Sequence, residues 1–230
     1  GSPYSGMTTP EPAELYSLLA RMAADAPADS PHPPTVVMEV TSHALAFHKV
    51  APLRFAVSVF TNLTQDHLDF HKTMEAYADA KASLFAQSRC SVLCIDSPYA
   101  ERMRRQGEGR VVTCSSASRN ADYSAFPLSG SGREGVQYRL EAAHLSLRLF
   151  CPILGHFSIT NSMQAAVAAM ERASIRATAA IWPFPGLDPS RLGKFLVVWR
   201  MDRPLCMGVS PAPKQGPQKA VRTVAPAAIR

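Results

Sequence analysis

Phe55–Phe85 reads FAVSVFTNLTQDHLDFHKTMEAYADAKASLF, and three kinds of pattern follow one another in it. Phe55–Phe60 is a nearly continuous apolar run, the mark of a strand covered on both faces, as in a parallel sheet. Thr61–Lys72 is a loop rich in Asp and His. From Thr73 onward Met74, Tyr77, Ala78, Lys81, Leu84 and Phe85 recur at helical spacing on one stripe, with Thr73 as N-cap and Glu75 in the first turn. Lys81 sits in the middle of that apolar stripe. Two readings of it stay open: a lysine at the edge of the stripe whose ammonium reaches water, or a functional lysine facing a site built from the preceding loop.

Working outward, Thr35–Val40 (TVVMEV) and Ser91–Ile95 (SVLCI) are further short apolar runs, and Arg110–Cys114 is another short strand. Asp96–Gly109 reads as a charged helix and loop, and Ser115–Gly135 as loop. Gln137–Phe150 alternates as a β-ribbon, with Leu145, Leu147 and Leu149 on one face and Ser146 and Arg148 on the other. A helix through Leu15, Leu18, Leu19 and Met22 opens the chain, with Thr9 suited to its N-cap and Pro10 and Glu11 to its first turn. Ser162–Ala173 is an Ala-rich helix, and Asn161 is placed to cap it. The expected fold is α/β, a mainly parallel sheet with helices on both faces. Ligands then gather beyond the carboxyl ends of the strands. Glu39 stands at such an end, where a carboxylate is either functional or paired.

Composition narrows the class. With 47% hydrophobic and 18% charged residues, the chain is ordinary for a soluble globular protein. It carries no membrane-length apolar run and no signal-peptide pattern, which points to the cytoplasm and no membrane role; a monomer is expected. Five cysteines without a C-x-x-C pair read as reduced, mostly buried thiols. The net charge of +6 is concentrated at one end, since Arg203–Arg230 holds five basic residues and no acidic one. It therefore gives no basic face for nucleic acid on the folded part. His67 and His71 are four apart, but no H-E-x-x-H is present, so zinc-protease chemistry is not supported.

Four segments in order resemble the Mur ligase family, most closely its tripeptide-synthetase branch. They are TTPE (Thr8–Glu11), MEVTSHALAFHKV (Met38–Val50), TNLTQDHLDFHKTMEAYADAKASLF (Thr61–Phe85) and LGHFSITN (Leu154–Asn161). The resemblance implies the family's central ATPase domain. It also implies an ATP-dependent amide-bond ligase that adds a diamino acid to UDP-MurNAc-L-Ala-D-Glu in peptidoglycan precursor synthesis. It assigns Glu39, His67 and a carbamylated Lys81 to a Mg2+ site, with Lys81 and His67 catalytic. Thr8, Thr9, Thr41, Ser42 and Lys49 would contact the sugar-peptide substrate, and Asn161 the nucleotide.

Departures from the family pattern are Phe47 for a glutamine, Lys49 for an arginine, and Ser158 for the first asparagine of G-x-F-N-x-x-N. The motifs end near Ala173. No G-x-x-x-x-G-K-[ST] phosphate loop occurs in the 230 residues, so weak or absent activity is expected of this chain by itself. Residues 1–187 are thus read as an incomplete central domain. Residues 188–230, rich in Pro, Ala and basic residues, are read as a disordered tail or as translation in a shifted frame. Two rival readings are another ligase with the same ATPase core, of the folylpolyglutamate synthetase or cyanophycin type, and a non-catalytic truncated product.

Overall fold

Burial on both sides explains the central strand. In the computed structural model, which describes residues 8–25, 35–128, 135–178 and 197–198, all of Phe55–Phe60 is buried. The helices are α1 (Pro12–Ala24), α2 (Ser42–Ala46), α3 (Leu68–His71), α4 (Met74–Ala82), α5 (Ala100–Gln106) and α6 (His156–Thr178). The strands are β1 (Val37–Met38), β2 (Phe55–Phe60), β3 (Ser88–Cys94), β4 (Arg110–Ser115), β5 (Tyr123–Pro127), β6 (Val136–Ala142), β7 (Leu145–Cys151) and β8 (Val197–Val198). They form one sheet in the order β1-β8-β2-β3-β4-β5-β6-β7. Neighbours are parallel from β1 to β5 and antiparallel from β5 to β7.

The two faces are filled from different helices. On one, Leu15 and Leu19 of α1, Leu45 of α2, Tyr77 and Ala78 of α4 and Met103 of α5 pack with Phe55, Phe60 and Leu93. On the other, Met163, Val167 and Ala168 of α6 pack with Val57, Val59, Val92, Val112, Tyr138 and Leu140. This is the expected sheet with helices on both faces. The β6–β7 hairpin is the expected ribbon, and along β7 the leucines are half-buried while Ser146 and Arg148 are exposed. Gly109 marks a close approach: a Cβ there would lie 2.3 Å from the Arg89 carbonyl oxygen, so the turn into β4 admits no side chain.

Several elements differ from expectation. Only Val37–Met38 of the Thr35–Val40 run joins the ladder, and Val37 is exposed, because β1 is an edge strand. Tyr123–Pro127, read as loop, is a strand paired antiparallel with β6. Its five residues mix Ser with aromatics, too short and polar to signal a strand. Helix α6 starts six residues before Ser162. Ser158 Oγ donates to the Leu154 carbonyl at 2.9 Å and Ser162 Oγ to the Ser158 carbonyl at 2.6 Å. Hydroxyls that read as a turn bond back along the helix instead. Asn161 therefore lies inside α6 and is not its cap.

Glu11, not Thr9, is the N-cap of α1, and it makes no side-chain cap bond. Val197–Val198, within the stretch read as a disordered tail, pairs with both β1 and β2. The other residues of 188–230 lie outside the described residues.

Leu93→Ala, at a residue 1% exposed in the centre of the sheet, is expected to cost about 2–5 kcal/mol of unfolding free energy. Arg104→Ala, on the solvent side of α5, is expected to stay within about 0.5 kcal/mol. Urea unfolding followed by circular dichroism measures both.

Candidate functional site at the carboxyl end of the sheet

Helix α4 presents the stripe read from the sequence: Tyr77, Ala78 and Lys81 are buried, Met74 is half-buried, and Leu84 and Phe85 continue the stripe beyond the helix end. Thr73 caps it by accepting from the Ala76 N–H at 3.1 Å. The helix is held by its packing, and Tyr77 is fully buried. Three groups meet the Tyr77 ring. Lys81 Nζ lies 5.2 Å from its centroid, His71 stacks on it at 5.1 Å with 25° between planes, and His67 meets it edge-on at 5.8 Å.

The loop before α4 is set by a strained residue. His67 is the N-cap of α3 with φ 54° and ψ 26°, the left-handed region that non-glycine residues rarely adopt. Asp66 steadies it: Oδ1 accepts from the His67 N–H at 2.8 Å, and Oδ2 lies 3.4 Å from His67 Nε2. His71, at the other end of α3, is buried and its Nε2 lies 2.9 Å from Ser42 Oγ. His43, on α2, joins both histidines, with ring centroids 5.0 Å from His67 and 5.6 Å from His71, and it packs on Phe70 at 4.3 Å. Burial, then the nearby His43 and His67, hold the His71 pKa below its ordinary 6.5.

Lys81 lines a small cleft, partly open to solvent, together with Val40, Leu45, Val59, Phe60, Thr61, Asn62, Leu84 and Phe85. Val40 follows β1, and Thr61 and Asn62 follow β2, so the cleft is at the carboxyl end of the parallel strands. Glu39 is half-buried one residue before Val40. Its carbonyl accepts from Thr9 Oγ1 at 3.1 Å, and Thr9 Oγ1 accepts in turn from the Thr41 N–H at 3.1 Å. The structure thus brings Glu39, His67 and Lys81 around one end of the sheet. Among the described residues, no group of three or more His, Cys, Asp or Glu side chains is placed to hold a metal ion. The set fits a cation only if Lys81 supplies oxygens in place of its ammonium.

The other expected contact residues are distributed as follows. Thr8 is exposed, whereas Thr9 is 3% exposed and ties the start of the chain to Glu39 and Thr41. Thr41 caps α2, accepting from the Ala44 N–H at 3.1 Å. Ser42 is fully buried against His71, so it reaches the site through that ring and not through open surface. Lys49 Nζ donates to Glu11 Oε1 at 2.5 Å. Asn161 is half-buried on α6, three residues before Gln164, whose Nε2 donates to the Phe60 carbonyl at 3.2 Å. Cys90, Cys94, Cys114 and Cys151 are buried free thiols as expected; Cys206 lies outside the described residues. Sequence reasoning missed the joint role of His43 and Tyr77. Their signal was present, since an aromatic and a histidine fall on the faces that meet.

A doubly covered, mainly parallel sheet with a lysine-lined cleft beyond its strand ends is the architecture of a ligand-binding α/β domain. The sequence profile of the Mur ligase middle domain matches residues 1–169, and the chain belongs to the Mur ligase family. It is similar to the UDP-N-acetylmuramoyl-L-alanyl-D-glutamate–2,6-diaminopimelate ligase of Corynebacterium glutamicum, with 39% identity over 170 residues, covering 71% of this chain and 31% of that protein. The protein of the same name from Chlorobaculum tepidum is 34% identical over 233 residues, covering 96% of this chain and 44% of its own. That alignment continues past Ala173, where the sequence motifs end. A solved structure of a ligase of this name superposes with a TM-score of 0.55 at 29% identity, covering 59% of this chain and 29% of its own. The chain spans about a third of the length of curated relatives such as that from Corynebacterium glutamicum.

His71 gives a pH signature. Its folded pKa is depressed, so the unfolded chain binds a proton more readily than the folded one. Its share of stability is complete above about pH 6.5 and falls as pH drops below that value. His71→Gln is expected to flatten this decline between about pH 6.5 and 5, as read from urea midpoints measured across that range.

Proposed function

We propose that this chain is the central, nucleotide- and metal-handling part of an ATP-dependent ligase. The ligase joins a diamino acid to UDP-MurNAc-L-Ala-D-Glu. The names of the relatives support diaminopimelate as that amino acid. The observation that carries the reading is Lys81, buried on an apolar helix face, lining a cleft and lying against the same Tyr77 ring that His67 meets. As a neutral amine, Nζ adds to carbon dioxide: an N–C bond forms, one proton leaves to solvent, and a carbamate anion remains. The cation becomes an oxygen ligand, and with Glu39 and His67 it forms a set suited to Mg2+. Magnesium, when bound, offsets the charge on phosphates during transfer.

In the proposed reaction the terminal carboxylate of the dipeptide takes the γ-phosphoryl group of ATP, and the incoming amine then displaces phosphate. Thr8, Thr9, Thr41, Ser42 and Lys49 serve the sugar-peptide end. Thr9 and Ser42 do so as buried links, and Lys49 by exchanging Glu11 for a substrate oxyanion. Their pair, with Glu11 half-exposed, is worth only about 0–1 kcal/mol, so a phosphate can displace it. Asn161 serves the nucleotide. No helix among the described residues is long and apolar enough to cross a membrane; a monomer acting in the cytoplasm is part of this proposal.

The chain incubated with 13C-labelled bicarbonate is expected to show a carbamate carbon resonance that Lys81→Arg abolishes. An equal signal in both proteins overturns the assignment. Glu39→Ala is expected to weaken Mg2+ binding by calorimetry at least about tenfold, since even outer-shell losses cost that much. Because the sequence contains no phosphate loop, ADP release with all substrates present is expected to stay near background. Turnover typical of an intact ligase overturns that part.

A further inference from the structure

Beyond the strand ends on the α6 side lies a second polar assembly that none of the roles above uses. Asp96 follows β3, Ser115 ends β4, Ser116 follows it, and Thr160 lies on α6. Ser115 Oγ donates to Asp96 Oδ1. Asp96 Oδ2 accepts from the Ser116 N–H at 2.8 Å and from Ser116 Oγ at 3.0 Å. Ser116 Oγ is also 2.9 Å from Thr160 Oγ1.

Proton counting gives this chain a direction. An ionised carboxylate only accepts, and each hydroxyl has one proton to donate. Ser115 has given its proton to Asp96, so it accepts from the Ala117 and Ser118 N–H groups at 3.0 and 2.7 Å. Ser116 has likewise given its proton to Asp96. In the Ser116–Thr160 pair, Thr160 must therefore be the donor. The carboxylate thus sets the orientation of a hydroxyl two hydrogen bonds away, on the residue that precedes Asn161. Burial raises the Asp96 pKa, but the hydrogen bonds from Ser115 and Ser116 outweigh it and the net shift is downward, so the carboxylate stays ionised near neutral pH.

We propose that Asp96 is a positioning residue for the nucleotide contact: through Ser116 and Thr160 it fixes the turn of α6 that carries Asn161. This rests on the reading of Asn161 as a nucleotide contact. Gln164 anchors the same stretch of helix to the end of β2 through the Phe60 carbonyl. The Asn161 turn is thus tied to β2 on one side and to β3 and β4 on the other. Asp96→Asn cannot substitute, because an amide has one acceptor oxygen where the carboxylate uses two.

The test uses the full chain, with 1H–15N spectra of the Asn161 side-chain amide recorded alone and with ADP. In Asp96→Asn and Ser116→Ala, the ligand-free Asn161 resonances are expected to shift. ADP affinity is expected to fall about two- to tenfold, the worth of one hydrogen bond. Ser116→Thr, which keeps the hydroxyl, is expected to restore both, as a merely structural loss would not. Thr160→Val, which removes only the last donor, gives the same readout if Asp96→Asn fails to fold. Unmoved Asn161 resonances across these variants overturn the proposal, as does an unchanged ADP affinity where ADP binds. Resonances that move in a chain whose spectrum ADP never perturbs support the positioning link and refute the nucleotide role of Asn161 instead.

Discussion

The fully buried ring of Tyr77 is the contact on which the candidate site depends. It sits on α4 with no exposed surface, so its packing fixes it more firmly than any hydrogen bond in the loop before it could. His67, His71 and Lys81 each lie against that ring. The loop between β2 and α4 contains a left-handed histidine, which costs of order 1–3 kcal/mol unless its surroundings impose it. Here they do: Asp66 holds the turn from the solvent side, and Tyr77 and His43 hold the imidazole from the protein side. Thus an apolar helix stripe sets the geometry of a polar loop.

The same logic explains what the sequence could and could not reveal. Strand β2 and helix α4 were legible because their signals are periodic and strong. The hairpin β6–β7 was legible because alternation with a period of two survives at a half-exposed edge. Strand β5 was not, since its pairing with β6 comes from the hairpin beside it and not from its own residues. Helix α6 was read too short because Ser158 and Ser162 signal turns in isolation, while in place they bond to the preceding carbonyls. For the site, residue types at the strand ends were legible and their partners were not. Thr9 was expected to cap its own helix but bonds across to Glu39, thirty residues away. Ser42, expected among the substrate contacts, is fully buried against His71. Such choices are made between distant segments, and no local pattern encodes them.

Magnitudes separate fixed parts of the site from adjustable ones. Tyr77, Phe85 and Met163 are buried to 2% exposure or less, and each contributes on the order of 1.5–3 kcal/mol of apolar burial. The Lys49–Glu11 pair and the hydroxyl links contribute about 1 kcal/mol or less apiece. The aromatic and aliphatic scaffold therefore determines where the cleft is. The polar pairs outside that scaffold can exchange partners without unfolding anything.

The two polar clusters also divide along the sheet. The loop of α3 and the start of α2 serve the β1–β2 end, where Glu39 and Lys81 lie. The Asp96–Ser116–Thr160 chain serves the β3–β4 end and the opposite face, where α6 lies. Gln164 links them, because its amide nitrogen bonds to the Phe60 carbonyl at the end of β2, the strand that also lines the Lys81 cleft. A displacement of α6 would therefore reach β2 directly, and through it the cleft wall. Parallel order makes this possible: every strand from β1 to β5 ends on the same side, so helices from both faces can meet there across one layer of backbone.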